Sequence, residues 1–169
     1  MTHSLYAASL PVFRQLLRGL AAVLEKAEAH AQERRIEPDA LLQARLFPDM
    51  FPLAKQIQIA TDFAKGASAR LAGVESPRYE DTERSFAELQ QRISKTLGFI
   101  DGLAEVEVEA GATRPITHGS GERVRHFDNG AHYLTHFALP QFTFHVTTAY
   151  AILRHNGVPI GKKDFIGAY

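Results

Sequence analysis

A histidine, His145, stands in the middle of the apolar and aromatic run LPQFTFHVTTAYAILRHNG, residues 139–157. Three kinds of chemistry suit an imidazole in that setting: ligation of a metal, acid–base work, or hydrogen bonding within a core. Gln141, His145, Thr148 and Ile152 step by four, three and four residues, which places them on one face of a helix. Phe142, Phe144, Val146, Ala149 and Leu153 spread apolar character over most of the remaining circumference, the pattern of a helix buried nearly all round. His145 is therefore expected to point inward, where at least one ring nitrogen needs a partner. Gln141, a tyrosine or a backbone carbonyl would serve.

His132 and His136 form a second group, four residues apart, which could chelate a divalent metal if their segment is helical. Nine residues separate His136 from His145, and at about 100° per residue an unbroken helix puts them on opposite sides. The three converge only if Pro140 breaks or rotates the helix. His118 and His126 fall in a predicted hairpin and are expected to be exposed. His155 lies in a last helical turn, where its charge complements the helix dipole.

Several sharper chemistries are excluded by inspection. No Glu has a His three residues later, as a di-iron bundle requires, and H-E-x-x-H, G-x-x-x-x-G-K-[ST] and G-x-S-x-G are all missing. Gly119 and Gly121 open like a dinucleotide fingerprint, but Val124 occupies the third glycine position. The chain has no cysteine, which removes disulfides, thiolate nucleophiles and cysteine-held metals.

The elements that must position these residues are mostly helical. Leu5, Phe13, Leu16, Leu17, Leu20, Val23, Leu24 and Ala27 predict a long helix ending near Ala31 and kinked at Pro11, with Ser9 as an alternative cap. Residues 38–50 read as a short helix and a loop. A second long helix is expected from Pro52 to Gly73, with Leu53, Ile57, Ala60, Ala64, Ala67 and Leu71 as its seam. A third should start near Asp81 or Thr82, bury Phe86, Leu89, Ile93, Leu97 and Ile100, and stop at Gly102.

Residues 104–130 change period and predict two or three short strands, with Val106 and Val108 facing the helices and Glu105, Glu107 and Glu109 facing water. The last helix spans Gly130 to His155, interrupted at Pro140. Four principal helices with a β insertion before the last point to a bundle, one domain over residues 1–169.

The 19 basic and 19 acidic residues balance, so no overall field recruits nucleic acid or an anionic membrane. No window approaches the roughly 18 consecutive apolar residues of a membrane span, and the N-terminus has no basic region followed by an apolar one. A cytoplasmic location is the expectation.

The segment FALPQFTFHVTTAYAILRHNGVPIGKKDFIG, residues 137–167, resembles the C-terminal signature of an uncharacterised bacterial domain-of-unknown-function family. DMFPLAKQIQIATDFAKGASARLAG, residues 49–73, and DTERSFAELQQRISKTLGFI, residues 81–100, match its helices two and three. That family is similar to the DinB/YfiT-like metalloenzyme superfamily of up-down-down-up four-helix bundles, which often form dimers and include metal-dependent thiol transferases. The resemblance implies a metal, zinc or nickel, held by one histidine of helix two and a His-x-x-x-His pair on the last helix.

Aligning Leu153-Arg154 with that pattern puts His145 on its second histidine and Gln141 on its first, while helix two offers Gln56 or Gln58. Two imidazoles would thus be amides, weaker ligands for a transition metal. The expectation is a degenerate metal pocket of Gln56, Gln141 and His145 that binds a small ligand. The rivals are a divalent-metal-dependent transferase or hydrolase and a purely structural homodimer. Arg154 is expected to pair with Asp62, and Phe165 to pack back on the bundle or across a dimer interface.

Overall fold

The computed structural model describes residues 4–168. Four long helices carry the fold: α1 (Leu5–Arg34), α3 (Leu53–Ala72), α4 (Phe86–Asp101) and α7 (Leu139–His155). Short helices α2 (Pro38–Leu42), α5 (Glu105–Glu109), α6 (Gly130–Tyr133) and α8 (Lys162–Ile166) join or flank them, with strands β1 (Ile116–His118) and β2 (Arg125–Phe127) before α6. Around the bundle the order is α1, α4, α3, α7, each packed on the next and α7 closing on α1.

The directions follow from residues that meet across helices. Arg14 pairs with Asp101 and Gln90 donates to the Ala21 carbonyl, so α1 and α4 run antiparallel. His145 meets Gln56, and Phe137 meets Phe63, so α3 and α7 are antiparallel as well. The end of α3, the loop after α4 and the start of α6 converge where Gly111 lies against Leu71 and Gly130 against Gly111. This gives the expected up-down-down-up order. A Cβ on Gly111 would stand 2.1 Å from the Leu71 carbonyl oxygen, a backbone contact that only glycine permits.

The core is a continuous apolar cluster in which Phe13 meets Phe142 edge to face at 4.9 Å. Among the described residues, α1 is the one helix long and apolar enough to cross a membrane, with a mean hydropathy of 1.2 over 18 residues. Its stripe of Leu10, Phe13, Leu17, Leu20 and Leu24 is instead buried in the bundle.

The first helix is the single long element expected, running through Pro11 to Arg34 with Ser4 as its cap, while Ser9, the alternative cap, donates its hydroxyl back to the Leu5 carbonyl. Three local expectations are corrected. The third helix begins at Phe86, because Ser85 caps it by accepting from the Glu88 amide while the Glu88 carboxylate accepts from the Arg84 amide. Asp81 and Glu83, left in the preceding loop, pair with Arg92.

The EVEVE stretch forms helix α5 rather than a strand. Only Val108 is buried, Val106 is 74% exposed, and Glu109 turns to α1, accepting from the Ser4 hydroxyl and the Leu5 and Tyr6 amides. Those contacts hold the Glu109 carboxyl below its ordinary range. The break in the last helix also precedes Pro140. A π-helical turn, Leu134–Ala138, takes up the proline's missing N–H and its crowding of the preceding turn, so Pro140 opens α7.

The predicted hairpin is present as an antiparallel pair, Ile116 opposite Phe127 and His118 opposite Arg125. Arg154 does not reach Asp62. It donates to the Val158 carbonyl, since the antiparallel path carries the end of α7 past the start of α3, and Asp62 pairs with Lys65 and Arg92. Phe165 does pack back, edge to face with Tyr150 at 5.7 Å.

Candidate functional site

Gln56 and Phe63 stand two turns apart on one face of α3, opposite α7. Gln56, 1% exposed, accepts through Oε1 from His145 Nδ1 at 2.7 Å and donates through Nε2 to the Phe51 carbonyl at 3.1 Å. Both ends of the amide are thereby used, and the bond selects the tautomer with the proton on Nδ1. Burial pushes the His145 imidazole down to about 4, so it is neutral at ordinary pH.

Phe63 links this pair to a second histidine. Its ring lies nearly parallel to His145, with centroids 5.9 Å apart, and to His118 at 6.0 Å. His118 was expected to be exposed. It is instead half-buried, edge to face with Phe137 at 4.7 Å, and its Nδ1 is enclosed without a hydrogen-bond partner. Burial, with the nearby charges of Arg70 and Arg125, pushes this imidazole also down to about 4. The missed signal was strand alternation: His118 shares its face of β1 with Ile116, which is 4% exposed.

Gln141, one turn before His145, faces a cleft of about 650 Å³ between the hairpin and the bundle, bordered also by Phe63, His118, Phe137, Arg123 and Arg125. It makes no hydrogen bond to His145 among the described residues. Gln58, the other candidate on helix two, donates to Glu83 on the α4 side and is remote from this set. The structure thus joins Gln56 to His145, places Gln141 in the adjoining cleft, and adds Phe63, Phe137 and His118.

His132 and His136 do come together, with ring centroids 4.6 Å apart, but both are exposed and no third His, Asp or Glu joins them among the described residues. His126 is exposed, as expected, beside Thr117. At the bundle site the donors are one imidazole and two amides, and the Gln56 oxygen is already engaged by His145. A zinc or nickel centre takes three imidazole or carboxylate donors. The residues present do not fit one.

The model of a family described as a domain of unknown function, DUF1993, matches residues 5–166. The chain belongs to the DUF1993 family. The chain is also similar to a crystal structure of a DinB family member protein from Shewanella denitrificans, 41% identical, covering 98% of this chain and 93% of that one, with a TM-score of 0.90. No protein in the curated set matches. The DUF1993 chain therefore shares the DinB-like bundle.

Proposed function

We propose that this DUF1993 chain binds a small organic ligand in the cleft between hairpin and bundle, using aromatic and polar groups in place of a metal. The observation that carries this is the near-parallel set of Phe63, His118 and His145, with the Gln141 amide beside it in a cleft of about 650 Å³. That volume lies in the usual range for small-molecule sites, and Phe63 and Phe137 give the cleft an apolar wall facing Gln141, Glu122, Arg123 and Arg125. A planar group can lie against Phe63 and Phe137 while Gln141 supplies a donor and an acceptor. A cytoplasmic setting goes with this reading.

The test is a titration with indole and phenol followed by nuclear magnetic resonance. Shifts concentrated at Phe63, His118 and Gln141, weakened about tenfold by Phe63→Leu with the unfolding midpoint little changed, are the expected result. Probes at millimolar concentration that leave these residues unmoved would refute it.

A second reading concerns pairing of two copies. Phe47, Phe51 and Phe144 are 63%, 52% and 55% exposed, and an apolar hollow bordered by Leu46, Met50, Pro140 and Phe144 lies among them. We infer that this face joins a second copy of the chain. Sedimentation should give twice the monomer mass, with Phe144→Glu shifting the protein to monomer at micromolar concentration. A monomeric parent protein would end that reading.

A further inference from the structure

On the other side of the wall formed by Phe63 and His118 lies a smaller cleft of about 360 Å³, bordered also by Lys65, Gly66, Arg70 and Ser76. Arg70 is the unusual member. Its guanidinium has no carboxylate partner among the described residues and has the Tyr133 hydroxyl as its polar neighbour, although the chain carries as many acidic groups as basic ones. It folds over Gly66, one helical turn earlier, so closely that a Cβ there would stand 2.8 Å from Nη1. An arginine held against its own helix, with donors unused at a cleft, is a ready partner for a planar or tetrahedral oxyanion.

Other groups around it point the same way. Tyr133 is fully buried, and its hydroxyl has no well-formed hydrogen bond, with the Arg70 guanidinium beside it. His118 Nδ1 is likewise enclosed and unpartnered. The Ser76 hydroxyl lies about where that guanidinium rests, 4.0 Å from the position of a Gly66 Cβ. Asp62 also borders the cleft, but Lys65 and Arg92 each meet it at 2.8 Å, so its charge is balanced. Buried polar atoms without partners are uncommon in folded proteins, and two of them, the Tyr133 hydroxyl and His118 Nδ1, lie near Arg70.

We propose that this cleft is an oxyanion subsite, in which Arg70, positioned by Gly66, takes the carboxylate or phosphate of a small organic acid or phosphate ester. The Ser76 hydroxyl, which also borders the cleft, supplies a further donor. The inference rests on the ligand-binding reading above, because the two clefts share Phe63 and His118: the aromatic part of the ligand occupies one side and its anionic group the other.

The test compares phenol, benzoate, phenyl phosphate and inorganic phosphate by titration, following the Arg70 side-chain Nε–Hε signal together with the backbone amides. Benzoate or phenyl phosphate should bind at least tenfold more tightly than phenol and move the Arg70 signal, and whichever is tighter identifies the anion class. Arg70→Gln should abolish that advantage and leave phenol binding unchanged. Gly66→Ala retains the charge but displaces the guanidinium, and should reduce the advantage several-fold while the unfolding midpoint holds.

An advantage that survives Arg70→Gln would place the anion at Arg123 and Arg125 and overturn the proposal, as would anions that bind no better than phenol. Inorganic phosphate moving Arg70 while phenol moves nothing at Phe63 or Gln141 would uphold the subsite and remove the aromatic cleft.

Discussion

Arg92→Ala is expected to lower the unfolding free energy by about 3–5 kcal/mol, the usual loss when one partner of a buried charge network is removed. The Arg92 side chain is 2% exposed. Its guanidinium meets Asp62 at 2.8 Å, Glu83 at 2.9 Å and Asp81 at 3.0 Å, and its Nε donates to the Thr61 hydroxyl at 2.7 Å. Lys65 and Lys55 would still face Asp62 and Asp81, but Glu83, 13% exposed, would keep only the Gln58 amide.

Tyr79 adds to the arrangement, with Lys65, Arg92 and Lys95 all within 5.3 Å of its ring centre. The network fastens residues 74–85 across α3 and α4. Arg92→Lys should recover only part of the loss, since an ammonium cannot serve three directions in one plane. Urea unfolding at pH 7 decides the matter: a loss below about 1 kcal/mol for Arg92→Ala would show the cluster to act as a solvated surface network.

Stability should also fall on acidification between about pH 6.5 and pH 4, by about 2–4 kcal/mol in all. His118 and His145 are both pushed from 6.5 to about 4 in the folded chain. Within that window the unfolded state binds protons at these two positions and the folded state does not, so lowering the pH favours unfolding. Above the window neither group contributes a slope. The figure is about half of what the full depression would give, because water still reaches part of both rings.

Below about pH 4.5 a separate loss sets in. The carboxyls of Asp81, Glu88, Glu109 and Asp164 are held below their ordinary range, so their stabilising effect disappears as they gain protons. The histidine window is therefore read between pH 7 and pH 5. The double variant His118→Gln, His145→Gln should flatten it whatever its effect on absolute stability. An equally steep dependence in that variant would assign the slope to other groups.

The long helices were legible because their apolar steps extend over many turns, and Gly73, Gly102 and Gly157 mark their ends. His145 was legible for the same reason: it belongs to a buried face, and Gln56 was within reach of the residues considered. Its specific pairing with Gln56 rather than Gln141 was not, because that depends on how α3 and α7 are rotated against each other. EVEVE misled because a period of two in five residues cannot distinguish a strand from a short helix whose last glutamate serves another element. Arg70 and Tyr133 left no pattern, since what matters is that they meet in space.

The contacts of α1 bear on how the chain is made. Its first turn is completed by Glu109, more than 100 residues later, and its middle is covered by the main chain at Phe165, which lies against Gly19. During synthesis at ~5–20 residues per second, the first long apolar helix waits on the order of ten seconds for the elements that cover it. In that interval it is the segment most open to chaperone capture or to misplaced association, and the elements that close over it are made long after it.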